Sequence, residues 1–444
     1  MSNKDLMTVA KDAAQYAKKA GADDARISMT RSRDVSVEWR DGKLDRIQEN
    51  TKQSLTITLF VDGRYSVNST SDLRPEAVEK YIANGVLATK YLAEDPHRHL
   101  PDPARYEGMI SKDLGIYDTQ IPTVSPKSRL DTAKALEEAS RTGEGSDRII
   151  SVTSAVSDYE YESVCIATNG LEASEIGTST WRSASVSIRD EGDRKPRGGS
   201  YGGGTHLTDL PDPATIGPDA LKRAVEQLGS KQVPTDTYTV VVENRAAPTL
   251  SRHLFSALSG GALQQKASFL EGMRGKSVAT KRLSVISDPH LKGGLSSTAW
   301  DSEGMATRQR PVFESGVLKT YFLDTYYASK LDMVPTSGSA ANLVWQGGDR
   351  DAQAIIKSVK KGIFVTSFLG GNSNGTTGDF SLGIKGFYIE EGRIAHPVSE
   401  MNMAGNHLIL WKQLAQVGND PWPYSSNRTP TLVFEKVQCS GSKA

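Results

Sequence analysis

Between Ala25 and Thr70 apolar and polar residues alternate, and the alternation is cut twice, at Asp41-Gly42 and at Asp62-Gly63. Alternation with a period of two puts one set of side chains on each face of a strand, and Asp-Gly supplies the positive backbone torsions of a two-residue hairpin turn. The runs ARISM, DVSVEWR, KLDRIQE, SLTITLFV and RYSVNST therefore predict a meander of about four or five strands. A chain with this pattern near its start cannot be all helical.

Helical periodicity brackets the meander. Residues 4 to about 20 form an amphipathic pattern stopped by Gly21, and Pro75 opens PEAVEKYIANGVLATKYL at a position proline tolerates in a first helical turn. A second helix, Ser128 to Arg141, precedes YESVCIAT, the turn Asn169-Gly170, LEASEIG and TWRSASVSI. The same order of elements recurs, so the spacing predicts a duplicated αβ unit. Glu94 to Ser125, rich in proline and polar turns, reads as a linker over the surface, and DRKPRGGSYGGG (Asp193 to Gly204) as a basic, flexible loop. His97 and His99 make an H-x-H with no third ligand nearby, better suited to a solvated loop than to a metal.

A helix from Pro218 to Leu228 leads to an apolar strand at Tyr238 to Val242, where a third region begins. Leu250, Leu254 and Leu258 lie four apart, the spacing of a buried helix face, and Gly260-Gly261 breaks that helix. The hairpin RPVFESGVLKTYFL, short helices near Asp324 to Leu331 and Asp351 to Lys360, and the strand TLVFEKV complete it. The reading is an α+β chain: an N-terminal αβ domain (1–94), a linker (95–125), a second αβ unit (126–232) and a mainly β C-terminal domain (233–444).

Charge and cysteine content narrow the function classes. Lys and Arg total 53 and Asp and Glu total 53, so nothing in the net charge attracts nucleic acid or an anionic membrane. Cys165 and Cys439 are the two cysteines, far apart and outside any C-x-x-C pair, which fits a reducing compartment and inert thiols. No run of eighteen apolar residues occurs, so no membrane partner and a cytoplasmic location are expected.

The densest chemistry lies in KGIFVTSFLGGNSNGTTGDFSLGIKGFYIEEGRI, residues 361 to 394. Gly370 to Thr377 has phosphate-loop spacing with Thr376 in place of the lysine, and Gly371-Asn372-Ser373-Asn374-Gly375 fits the nucleophile-elbow pattern G-x-S-x-G. Both motifs need a helix next. Phe380, Leu382 and Ile384, then Phe387 and Ile389, instead show strand alternation with a one-residue slip at Lys385-Gly386. The stretch reads as strand, glycine loop, strand. A loop and edge without bulky side chains also lets another extended backbone approach.

These residues, together with VEWRDGKLDRIQENTKQSLTITLFVDGRYSVNSTSD, HLFSALSGGALQQKASFLEG, DSEGMATRQRPVFESGVLKTYFLDTYYA, MNMAGNHL and VGND, resemble the TldD/PmbA family, once called modulators of DNA gyrase, over nearly the whole chain. The resemblance implies a cytosolic metalloprotease built from paired TldD and TldE (PmbA) subunits that degrades or trims unfolded peptides. The catalytic TldD-type subunit carries H-E-x-x-x-H, in which two imidazoles hold zinc and the glutamate activates water, and a further cysteine. Here the corresponding helix reads His253-Leu254-Phe255-Ser256-Ala257-Leu258, with leucines at the glutamate and second histidine positions, and Cys439 matches the wrong place. The pattern resembles the TldE/PmbA branch. No catalytic residue, metal ligand or cofactor is expected in this chain, and zinc is expected in a TldD-type partner.

The expected role is that of a non-catalytic subunit that closes a chamber and holds unfolded peptide by main-chain pairing, in a heterodimer with a TldD-like subunit or in a homodimer. Candidate substrate contacts are Gly370, Gly371, Asn372, Ser373, Asn374, Gly375, Thr376 and Gly378 of the loop, Ser337, Ser339 and Asn342 of SGSAAN, and Asn402 and Asn406 of MNMAGN. One alternative is a self-sufficient homodimeric hydrolase using Ser373, beside which the seven histidines offer no placeable partner. Another is a binding modulator of an enzyme such as DNA gyrase, without direct contact to nucleic acid.

Overall fold

A computed structural model describes the backbone of residues 3–441 and the side chains of residues 6–441. The first unit runs α1 (Asn3–Lys19), β1 (Asp24–Arg40), β2 (Lys43–Val61), β3 (Arg64–Thr70) and α2 (Pro75–Thr89). The second runs α3 (Pro126–Ser140), β4 (Ile149–Ala167), β5 (Glu172–Ile188), β6 (Arg197–Gly204) and α4 (Pro213–Val225). Each unit is αβββα, so the order of elements does repeat. The two share one antiparallel sheet in the order β3-β2-β1-β4-β5-β6, with β1 and β4 paired along its middle from Arg26↔Ala167 to Arg40↔Thr153. This order is a pseudo-twofold arrangement of two hairpin-and-edge units.

The strands are longer and fewer than the alternation suggested. ARISM and DVSVEWR are one strand, as are KLDRIQE and SLTITLFV, because Ser32 to Asp34 and Glu49 to Lys52 keep extended pairing on a polar stretch. The turns are as read: Asp41 and Gly42 (φ 48° and 77°) and Asp62 and Gly63 (φ 49° and 71°) all take positive torsions, as a type I′ hairpin demands. Helices α1 and α2 bury Leu6, Ala10, Ala13, Val78 and Ile82 against Ile27, Leu55 and Ile57, while α3 and α4 cover Val152, Val156, Val186 and Ile188. A buried ion pair, Arg129 to Asp158 at 2.6 Å, ties α3 to β4, and Thr180 donates a further hydrogen bond to the same carboxylate.

Two readings change. Arg197 to Gly204 is not a flexible loop but the edge strand β6, whose glycines let α4 and neighbouring rings lie against the backbone. The segment 95–125 runs over the surface fixed in place rather than as a loose linker: Leu100, Leu114, Ile116 and Ile121 are buried as anchors, and its carbonyls at Arg105 and Leu114 accept from Ala306 and Gly293. It is a strap between the sheet and the C-terminal region.

The C-terminal region holds β7 (Asp236–Val242), α5 (Ala247–Ser256), α6 (Gly260–Gln264), β8 (Val285–Asp288), β9 (Arg310–Glu314), β10 (Val317–Leu318), α7 (Thr325–Lys330) and β11 (Asn342–Trp345). It continues with α8 (Ala352–Lys357), β12 (Lys361–Ser373), β13 (Asp379–Glu390), β14 (Arg393–Asn406), α9 (His407–Leu410), β15 (Leu414–Val417), β16 (Asn427–Arg428) and β17 (Leu432–Ser440). One sheet runs β10-β9-β8-β11-β16 and the other β14-β13-β12-β7-β17-β15. Because β14 also pairs β17 at Asn402↔Ser440, five strands of the second sheet close on themselves around Trp411, Phe434 and Ile363. The fold is α+β. No helix among the described residues is long and apolar enough to cross a membrane.

Candidate functional site

The first residues of β12, Gly362 to Val365, pair with β7 on one side and β13 on the other. Beyond Val365, β7 ends and β12 continues on β13 alone to Ser373, so residues 366–373 have one side of their backbone ladder open. Two register slips, between Val365 and Ser367 and between Phe368 and Gly371, bend this arm. They require glycine: a Cβ on Gly386 would meet the Phe364 carbonyl oxygen at 1.9 Å, and one on Gly371, at φ +126°, the Ser381 oxygen at 2.2 Å. Phe380, Leu382 and Ile384 turn inward into the core as the alternation predicted. A strand follows the loop, so neither the phosphate-loop nor the elbow geometry forms.

The loop itself is a self-bonded turn. The Asn374 side-chain oxygen accepts from the Thr376 and Thr377 amides at 2.9 and 3.3 Å, and the Gly375 carbonyl accepts from the Phe269 amide. Asn406 donates to the Thr377 carbonyl and to Asp379 at 2.8 and 2.9 Å, while its oxygen accepts from the Leu408 amide and caps α9. Gly378, at φ +81°, packs on the Phe269 ring. Gly370, Gly371 and Asn372 are exposed on the open arm, and Asn402 is exposed opposite Gly383, against which Leu369 of the arm lies.

Ser373 does have a histidine partner. Its Oγ lies 3.1 Å from His407 Nε2, a pairing that sequence spacing did not predict, although His407 follows Asn406 directly in MNMAGNHL. The His407 ring is 0% exposed, stacked on Phe269 at 5.4 Å and flanked by Phe380 at 4.8 Å and His253 at 5.6 Å. Burial, and then the neighbouring His253, pull its pKa down to about 4. Such an imidazole is neutral at pH 7 and a weak base, and its Nδ1 has no hydrogen-bond partner among the described residues. A serine triad needs a carboxylate on that nitrogen to orient the ring and stabilise its charged form. Half-buried Ser373 and buried His407 are therefore a hydrogen-bonded pair at the end of β12.

His253, on α5, is held below its ordinary pKa by partial burial and by Arg252. Leu254 and Leu258 stand at the glutamate and second histidine positions of the zinc motif and are 1% and 0% exposed, packed into the main core. This donor set does not fit a zinc ion: one imidazole and two buried leucines supply neither the ligands nor the water-activating carboxylate. Among the described residues no three His, Cys, Asp or Glu side chains gather as metal ligands. His97 Nδ1 meets Ser329 Oγ and His99 Nδ1 meets the Leu100 carbonyl, both at 2.8 Å, so the two rings point to different neighbours. Cys439 is buried in β17 with its thiol pushed up to about 12, and Cys165 is buried beside Ser28.

The remaining candidates lie apart from the glycine loop. Ser337 sits beside Asp301, whose carboxyl burial raises to about 6, and Ser339 is exposed. Asn342 is fully buried and structural: its amide donates to the Asp288 carbonyl and to Ser297 Oγ at 2.9 and 2.8 Å and accepts from the Ser296 amide. Among the described residues no hydrogen bond joins these three to residues 370–378. The feature that sequence reading passed over is a row of aromatic side chains on the central sheet, Tyr159, Tyr161, Trp181 and Tyr201. Its signal was the i, i+2 spacing of the two tyrosines on β4 and the single tyrosine among the glycines of β6.

Comparison with known proteins covers the chain in three parts. Residues 25–88, 120–228 and 235–441 match the models for domain 1, the central domain and the C-terminal domain of the PmbA/TldA metallopeptidases. Metalloprotease PmbA of Escherichia coli O157:H7 is 28% identical over 425 residues, 95% of this chain and 93% of that protein. A modulator of DNA gyrase from Bacteroides thetaiotaomicron VPI-5482 superposes with a TM-score of 0.94 at 41% identity, covering 98% of both chains. TldE from Thermococcus kodakarensis shares the fold, with a TM-score of 0.86 at 20% identity over 98% of this chain and 100% of that one. On fold, on the three matched domains and on identity over nearly its full length, the chain belongs to the PmbA/TldD family.

Proposed function

We propose that this chain is the partner subunit of a TldD-type metalloprotease, without a metal centre of its own, and that it closes the proteolytic chamber and holds unfolded peptide substrate there. The observation that carries the reading is the donor set on α5. Leu254 and Leu258 are core residues, so the positions that would bind zinc and activate water are committed to packing. Zinc and the hydrolytic step then belong to the TldD-like subunit. This chain's contribution is the open arm of β12, where a peptide adds as a strand through main-chain hydrogen bonds common to every sequence. The small side chains of Gly370, Gly371 and Asn372 leave room for that approach.

The test is to mix the chain with a TldD-type subunit that carries H-E-x-x-x-H and follow hydrolysis of unfolded casein, with hydrogen exchange on the mixture. The expected result is turnover in the mixture alone and amide protection over residues 366–373 when peptide is added. Turnover by the isolated chain, or a TldD-type subunit whose activity and assembly ignore this chain, overturns the proposal.

A further inference from the structure

The side of the central sheet turned away from the helices carries an aromatic floor. Tyr159↔Ser179, Tyr161↔Gly177, Ser157↔Trp181 and Ser183↔Tyr201 are direct cross-strand partners, which puts the four aromatic residues on one face of β4, β5 and β6. Two rings lie flat on the backbone. A Cβ on Gly177 would sit 2.4 Å from the Tyr161 ring, and one on Gly203 2.4 Å from the Trp181 ring. Tyr159 stacks beside Tyr161 at 6.0 Å, and Trp181, Tyr201 and Trp422 follow at 6.4 and 5.7 Å. Tyr159 and Tyr201 remain 37% and 39% exposed, so the floor is reachable from outside.

The floor lines a cavity of about 560 Å³ between the sheet and the C-terminal residues Gly294, Ser297 and Tyr424 to Ser426. That volume lies within the range of about 300 to 1,000 Å³ typical of ligand sites. Its lining is aromatic and hydroxyl-bearing and contains no charged side chain. The Glu175 carboxylate accepts a hydrogen bond from the Tyr161 hydroxyl of this lining at 2.8 Å. A polyanion is thereby disfavoured, since single-stranded nucleic acid needs cations beside its stacking rings. The strand edge leads to the same place. β6 pairs with β5 from Thr180 onward, so Glu172 to Gly177 is laddered to β4 only, with Ser174 and Ile176 exposed.

We infer that this cavity is a subsite for an aromatic side chain of an extended peptide whose backbone runs along the open edge of β5. The inference rests on the peptide-holding role proposed above and adds a selectivity that the β12 arm, which reads only backbone, does not have. Flat rings over glycine accept an offset or edge-on aromatic ring, and the surrounding hydroxyls meet the peptide's polar backbone.

The experiment uses the full chain and three fluorescein-labelled probes, followed by polarisation. They are an unstructured nonapeptide of Gly and Ser with a central Phe, the same peptide with a central Ala, and a ten-nucleotide oligo-dT. The expected result is about tenfold tighter binding of the Phe peptide than of the Ala peptide, the size of one aromatic pair. Tyr159→Ala removes that preference, and the far-UV circular dichroism of the variant shows that it is folded when the preference is lost. Equal binding of the two peptides, a preference that survives Tyr159→Ala, or binding of oligo-dT in place of peptide overturns the inference. A chain that still assembles with a TldD-type subunit and supports casein turnover while lacking the Phe preference loses this subsite alone, whereas failure of assembly and turnover removes the partner role itself.

Discussion

The molecule contains two glycine-rich strands that look alike in sequence and do opposite things. In β6, RGGSYGGG, the glycines are crowded: a Cβ on Gly198 would lie 2.3 Å from both the Ala220 oxygen and the Ala224 nitrogen of α4, and one on Gly204 2.5 Å from Asp209. On the β12 arm, Gly370 has φ +96° and nothing within 4 Å of where its Cβ would be. The first set of glycines exists so that the protein can pack against its own backbone. On the arm, a Cβ on Gly371 would meet the Ser381 oxygen at the bulge, whereas Gly370 beside it leaves the surface bare. Glycine content alone does not separate a structural contact from an open one, but the neighbours of the missing Cβ do.

The comparison is broken most severely by Gly198→Ala. The added methyl has backbone on two sides, so α4 must lift from the sheet, and the expected loss is above about 3 kcal/mol in chemical denaturation. An unchanged midpoint would mean that α4 does not press on β6 as described.

Acid probes the other strand, because the β12 loop is pinned by a titratable ring. His407 is held at about 4 against an ordinary value of 6.5. Below 6.5 the unfolded chain takes up that proton and the folded one does not, so this component of stability is intact above pH 6.5. It falls away as pH drops toward 4, by about 3 kcal/mol, and levels below that. Hydrogen exchange should show residues 373–378 loosening across this window before β6 does. In the His407→Gln chain the component is absent, and a slope that persists there would assign the effect to other groups.

The mildest change is Gly370→Ala. It meets no neighbour and costs only the positive torsion, about 1 kcal/mol. A loss as large as that of Gly198→Ala would show that the arm is covered rather than open.

Period-two patterning and the Asp-Gly turns carried the strand assignments, because those features depend on residues adjacent in the chain. The duplicated unit was visible for the same reason, but the single shared sheet was not: it rests on β1 pairing β4 across more than a hundred residues. Arg197 to Gly204 looked like a loop because its glycines answer to α4 and Trp181, partners that sequence does not place beside it. The site shows the same limit. The bulged hairpin at 361–390 was legible from its slip at Lys385-Gly386, and the leucines at 254 and 258 stood in the sequence for all to read. The Ser373 to His407 contact was not legible, and of the aromatic floor only the spacing of Tyr159 and Tyr161 was, since the rest depends on side-chain directions that tertiary pairing fixes.

The most direct test of the partner-subunit account measures bound zinc and casein hydrolysis for this chain alone and for its mixture with a TldD-type subunit, each with and without chelator. The account predicts no stoichiometric zinc and no turnover for the chain alone, and zinc-dependent, chelator-sensitive turnover in the mixture that Ser373→Ala does not abolish. Chelator-resistant hydrolysis by the pure chain, abolished by Ser373→Ala, would contradict it.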